Sequence, residues 1–174
     1  MTSLRGQLLI AAPQLVDYFR RTVVLIVEHT EEGAMGVVLN RPTDTTVAAA
    51  VPDLAELAQE DALVHAGGPV EPETVIALGD FENPDEATAP VAGPLGLLDP
   101  AQPTPAIRRL RVFAGYAGWA PGQLDEELSQ SAWITELAAA DDPFADGDLW
   151  PAVLERKGGS YALMASMPID PSLN

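Results

Sequence analysis

The side chains able to do chemistry are few. The 174-residue chain carries two histidines, no cysteine, and nine lysines and arginines against twenty-six acids. Glu28 immediately precedes His29, and the second histidine is His65. Brought into one cleft, Glu28, His29 and His65 would make a general acid-base group, because an imidazole and a carboxylate both exchange protons near neutral pH. Acidic side chains holding a divalent ion would then give a hydrolase-like enzyme. Two imidazoles in unrelated segments, without a thiolate, do not supply a tetrahedral zinc set. The residues therefore call for no cofactor and no dedicated metal site. No Gly-x-Ser-x-Gly elbow marks a serine nucleophile. Gly115-x-x-Gly118-x-x-x-Gly122 opens a helix but lacks the Gly-Lys-Ser/Thr ending of a phosphate loop, and acids follow it directly. It is expected to be a tight strand-to-helix turn anchored by Trp119.

Arginine is scarce enough to be informative. Arg20, Arg21 and Arg41 flank two apolar stretches, and Arg108, Arg109 and Arg111 stand together near residue 110, with no lysine or arginine between Pro42 and Ile107. If those segments are neighbours, the arginines form a cationic patch suited to a carboxylate or phosphate. The alternative is internal pairing with the abundant acids. The net charge of −17 disfavours direct nucleic-acid binding, which depends on neutralising phosphates, and makes anionic membranes poor partners. Composition, 47% hydrophobic and 20% charged, is that of a soluble globular protein. The length fits a single domain spanning 1–174. No segment reaches the ~18 apolar residues of a membrane span. The apolar run Leu8 to Ala12 is short for a signal-peptide core, so a cytoplasmic location is expected.

Elements that would position these groups follow from periodicity. Gly6 to Ala12, Thr22 to Glu28 and Gly33 to Asn40 read as strands, the second apolar on both faces and hence covered on both sides. A helix capped by Thr45 or Thr46 is expected up to about Glu60, broken or restarted at Pro52. Short strands are expected at Leu63 to Ala66 and Thr74 to Leu78. Phe81 to Pro105, rich in proline and glycine, leaves room only for loop and short extended pieces, with mobility concentrated there. A strand at Ile107 to Gly115, a helix at Gly122 to Ser129, a strand at Trp133 to Leu137 and a helix at Leu149 to Lys157 complete the reading. Tyr161 to Met167 packs on the rest, and Pro168 to Asn174 forms a tail.

Four blocks carry a resemblance: Arg21 to His29, Gly33 to Pro42, Gly67 to Val70 (Gly-Gly-Pro-Val) and Gly115 to Leu124. In this order they resemble the AlgH/YqgE family, bacterial proteins of uncharacterised activity, some of them labelled transcriptional regulators of alginate synthesis. The resemblance implies an α/β (α+β) fold: a bifurcated, mostly antiparallel sheet curled into a pseudo-barrel with flanking helices. Motif positions that would form a shared ligand site are Glu28, His29, Asn40, Arg41, Gly67, Gly68, Tyr116, Trp119 and Gln123. Many members have cysteine just before the Glu-His pair. Val27 stands there in this chain, so a thiol role does not carry over. Ala120 replaces a frequent glycine.

The reading that follows is a non-enzymatic binding or regulatory protein. Its pocket, near Asn40, Arg41 and the Gly115 to Gln123 turn, would take a small anion or a protein partner's carboxylate. The alternatives are the hydrolase, a transcriptional regulator and an oligomeric scaffold.

Overall fold

The computed structural model describes residues 2–101 and 105–167; the expected tail, 168–174, lies outside them. Three strands begin the fold as an antiparallel meander: β1 (Gln7–Ala11), β2 (Val23–Thr30) and β3 (Gly33–Val38). Side chains alternate faces along a strand. Leu8, Ile10, Val23, Leu25 and Val27 enter one core, while Leu9, Ala11, Val24 and Ile26 enter another. Both faces of β2 are therefore covered, as its unbroken apolar run requires.

A long strand in the second half of the chain joins everything. The segment that follows β3 gives β4 (Pro42–Thr46), the one-turn helix α1 (Val47–Ala50), β5 (Leu63–Ala66) and β6 (Val70–Phe81). The hairpin β7 (Ala89–Ala92) and β8 (Leu95–Leu98) lies on β6. Then β9 (Ile107–Trp119) runs antiparallel to β6 along one edge. Along its other edge it first meets β5, in parallel with His65 opposite Phe113, and then β3, antiparallel with Ala117 opposite Gly36. The sheet branches at that change of partner. After α2 (Gln123–Ser129), β10 (Trp133–Leu137) adds to β1, and α3 (Leu149–Lys157) and α4 (Ser160–Met164) close the described chain.

The ten-stranded order is β10-β1-β2-β3-β9-β6-β8-β7, with β4 and β5 branching off at β9. Val91 and Leu95 from β7 and β8 pack in the same core as Leu8 and Val27 and as Trp150, Val153 and Leu154 of α3. The sheet is thus curled around that core, mostly antiparallel and bifurcated, but its two end strands do not pair and it stays open. Two carbonyls on the outer edge of strand β10 are occupied. Lys157 donates to Thr135 O at 2.8 Å and Arg156 to Leu137 O at 3.3 Å, which masks a bare strand edge. No helix among the described residues is long and apolar enough to cross a membrane.

Four local expectations change. Gly115 to Gly118 is not a turn but the continuation of β9. The proline-rich stretch after Phe81 contains the hairpin β7–β8, its short extended pieces being paired strands. The helix expected from Thr45 to Glu60 is only α1 and a 3-10 turn at Pro52–Leu54, although Thr46 does cap it, accepting from Ala49 N at 3.2 Å. Ser160–Met164 is helical, whereas only packing was expected there.

Candidate functional site

The glycines of the expected site hold the branch point together. A Cβ on Gly67 would lie 2.3 Å from Gly115 O, and one on Gly68 only 2.1 Å from the Tyr116 carbonyl carbon. Gly67 N donates to Ala114 O at 2.9 Å while Gly67 O accepts from Val38 N at 2.8 Å. These residues let β3 and β5 approach β9 side by side, and Gly115 adopts a φ of 77° that L side chains avoid. Their function here is backbone contact.

Asn40 and Arg41 also tie the sheet. Asn40 Oδ1 accepts from Val23 N at 3.0 Å and its Nδ2 donates to Arg21 O at 2.9 Å, so one side chain replaces the ladder where β2 begins. Arg41 donates to Arg20 O at 3.2 Å and covers the Tyr18 ring at 4.7 Å. Arg21 stacks over Trp150 at 4.4 Å. Arg20, Arg21 and Arg41 are not among the residues lining the cavity that holds Arg108, Arg109 and Arg111.

Trp119 and Gln123 belong to a different cluster, organised by Glu127. One carboxylate oxygen of Glu127 accepts from both indoles, Trp119 at 3.0 Å and Trp133 at 2.9 Å, and the other accepts from Gln123 Nε2 at 2.9 Å. The indoles meet edge to face, with centroids 6.2 Å apart, and Phe19 packs on both. Trp119 is an anchor, as its place before the helix indicates. Tyr116 donates its hydroxyl to Glu71 at 2.8 Å, and this hydrogen bond, aided by the carboxylate's charge, raises its pKa above the usual phenol value.

The acid-base residues are dispersed. Glu28 is exposed. His29 is buried, and its Nδ1 accepts from Leu4 N at 2.9 Å. It lines a small cavity of ≈ 190 Å³ with Gly33, Ala120 and Asp125. His65 lies in another cavity, of ≈ 520 Å³, and the two linings share no residue. The geometric premise of the hydrolase reading, a common cleft, is not met. Among the described residues no three His, Cys, Asp or Glu side chains converge to hold a metal.

The larger cavity is built from β9, the end of β3, the segment before β5 and the segment before α3. Arg108, Arg109 and Arg111 all line it, together with Asn40 and His65. Two of the arginines are neutralised. Asp80, only 4% exposed, receives Arg109 at 2.8 Å and Arg108 at 3.3 Å, and Arg109 also reaches Asp141 at 2.9 Å. These hydrogen bonds, led by that to Asp80, raise the pKa of Arg109. Arg111 differs. Its Nε donates to Pro143 O at 3.0 Å and its Nη1 lies 3.2 Å from His65 Nε2, and among the described residues no carboxylate is within ion-pair distance. Burial lowers its pKa, against attraction from Asp146. Burial, then the Arg111 charge, lowers the pKa of His65 to about 4. Its Nδ1, 3.2 Å from Leu63 O, is assigned as the N–H donor, which leaves Nε2 to accept from Arg111.

Of the nine expected site residues, only Asn40 lines this cavity. Arg111 was visible as one of an arginine trio, but Asp80, which distinguishes it from its neighbours, stands 31 residues earlier and gave no local signal. Glu127 carries no local signal beyond its place among the acids that follow Gly122.

Comparison with known proteins follows the fold. The model of the AlgH-like family matches residues 8–162. A UPF0301 protein of Streptomyces coelicolor is 45% identical over 190 aligned positions, covering 100% of this chain and 97% of its own length. A UPF0301 protein of Thermobifida fusca is 39% identical, with 99% and 96% covered. Among solved structures, a Corynebacterium diphtheriae protein superposes with TM-score 0.87 at 28% identity, over 95% of this chain and 93% of that one. The solution structure of AlgH from Pseudomonas aeruginosa gives 0.71 at 29% identity, with 97% of each covered. The branched sheet, the four sequence blocks and these matches agree: the chain belongs to the AlgH-like family, the UPF0301 proteins.

Proposed function

We propose that this protein is a non-enzymatic binding protein with regulatory output, which takes a small anion, a carboxylate or phosphate, in the cavity at Arg111. One observation carries the reading. Arg111 is a half-buried guanidinium facing a cavity of ≈ 520 Å³ without a carboxylate partner among the described residues, beside two arginines whose charge is already matched. Desolvated arginine forks bind carboxylate and phosphate oxygens with charge-assisted, bidentate hydrogen bonds. A cavity of this size suits a small molecule. The site proposed from sequence moves accordingly, from Arg41 and the 115–123 segment to Arg111, His65 and Asn40.

The separation of His29 from His65 supports binding over hydrolysis. The net charge of −17 weighs against regulation by direct nucleic-acid contact. We place this binding in the cytoplasm as part of the same proposal, to be checked by cell fractionation.

A thermal-shift screen with acetate, benzoate, inorganic phosphate and glucose 6-phosphate tests the reading. A ligand at ~100 times its dissociation constant stabilises by about 2.7 kcal/mol, or several degrees. The expected result is a shift that disappears in Arg111→Gln. A shift that persists unchanged in that variant places the anion elsewhere and overturns the assignment.

A further inference from the structure

The cavity at Arg111 also gathers unpaired acids. Glu60 and Asp61 come from the segment before β5, and Asp146 and Asp148 from the segment before α3. All four are exposed, whereas His65 and Arg111 occupy the buried part. None of the four is hydrogen-bonded through its carboxylate or ion-paired among the described residues, and Asp146 acts on Arg111 and His65 only through longer-range attraction. Surface acids are ordinary on a chain of net charge −17. Here two separate segments bring them to the open side of one cavity whose buried side holds a cation.

A simple anion would meet repulsion from those carboxylates on entry, while a simple cation would meet Arg111 inside. A molecule bearing both charges satisfies both ends. Leu57, Leu63, Leu110 and Phe144 also line the cavity, so the ligand should carry an apolar group beside its charges. We infer that the ligand is a zwitterion with an apolar side chain, an amino acid or short peptide, with its carboxylate on Arg111 and its ammonium among Glu60, Asp61, Asp146 and Asp148. This rests on the anion reading above and narrows it.

The test is calorimetric titration of the full chain with matched probes. Phenylalanine carries both charges, 3-phenylpropionate lacks the ammonium, and 2-phenylethylamine lacks the carboxylate. Leucyl-leucine and its N-acetyl form repeat the comparison at greater length. The expected result is that one zwitterion binds at least about tenfold tighter than its singly charged counterparts, a factor equal to a single modest charge contact. Asp146→Asn with Asp148→Asn, or Glu60→Gln with Asp61→Asn, should reduce that zwitterion to the affinity of its ammonium-free analogue. Arg111→Gln should reduce phenylalanine to the affinity of 2-phenylethylamine. The acid variants lie on the exposed side and keep the test independent of how well Arg111→Gln folds. If 3-phenylpropionate binds as tightly as phenylalanine, N-acetyl-leucyl-leucine as tightly as leucyl-leucine, and both depend on Arg111, the zwitterion is overturned and the anion reading stands. If 2-phenylethylamine matches phenylalanine and Arg111→Gln changes neither, both fall. If no probe binds up to roughly 10 mM, the zwitterion falls, and the anion reading falls with it only if acetate and inorganic phosphate also fail to bind.

Discussion

Arg111 Nη1 lies 3.2 Å from His65 Nε2, and Nδ1 of the same ring lies 3.2 Å from the Leu63 carbonyl. A cation beside an imidazole needs that ring neutral. Burial and the guanidinium together hold its pKa near 4 rather than 6.5.

Stability should therefore depend on pH through His65. Between pH 6.5 and about 4 the unfolded chain protonates this histidine and the folded chain does not. The unfolded state binds more protons there, so stability rises with pH across the window. The contribution is complete above pH 6.5 and is lost as pH falls to 4. It amounts to roughly 3 kcal/mol. Urea unfolding at a series of pH values should show this slope in the wild type and a shallower one in His65→Gln. Equal slopes would show that the ring is not held neutral.

Glu127 should be a stability residue. Removing its carboxylate in Glu127→Ala leaves two indole N–H groups and the Gln123 amide without their acceptor, a loss of about 2 kcal/mol. Denaturant midpoints measure the loss, and near-ultraviolet circular dichroism reports the loosened tryptophan pair. A near-neutral variant with an unchanged spectrum would contradict the cluster.

Two glycines should separate crowding from backbone strain. In Gly68→Ala the new methyl meets Tyr116 backbone at 2.1 Å, which cannot rotate away, for about 3 kcal/mol or a failure to fold. Gly122→Ala has the same need for positive φ, 79°, but nothing within 4 Å, so only the conformational term of about 1 kcal/mol remains. Equal losses in thermal melts would rule out the close approach at the fork.

Asp80→Ala should be costly because it leaves Arg109 without its principal partner in a half-buried position. Because both guanidiniums are partly exposed and Arg109 keeps Asp141, the loss should be about 1–2 kcal/mol. Arg109 keeps its ion pair with Asp141, but Arg108 then loses its carboxylate partner, so the same variant should bind phosphate more tightly than the wild type in calorimetry. Unchanged phosphate affinity would mean that Arg108 does not face the cavity as a free charge.

Much of the framework was legible in the sequence. Unbroken apolar runs at Leu8 to Ala11 and Val23 to Val27 mark doubly covered strands, since alternate residues must satisfy two cores. Thr46 marks a helix start, its hydroxyl accepting from Ala49 N. The four sequence blocks point to the branched sheet. What stayed hidden depends on distance along the chain. Gly67 and Gly115 are glycines because they touch one another, and neither shows that alone. Gly115 to Gly118 looks like a turn by composition, yet pairing on both sides keeps it a strand. Asp80 decides which arginine of three remains unmatched, a selection that no local pattern records. The family resemblance marks Asn40, but its hydrogen bonds to Val23 N and Arg21 O are not legible in the chain around it.

The first strand takes its outer neighbour from near the end of the chain: Ile10 sits opposite Ile134. During synthesis, β1 can pair with β2 within the first few dozen residues, but its other edge waits until β10 has left the ribosome. The carbonyls of β10 wait longer still, for Arg156 and Lys157. A growing chain thus carries a hydrophobic, half-paired sheet for most of its translation, the condition under which nascent proteins associate wrongly. Release of the segment from β10 to α3 completes the edge, so a chain halted before residue 133 should be a client for chaperones rather than a smaller working protein.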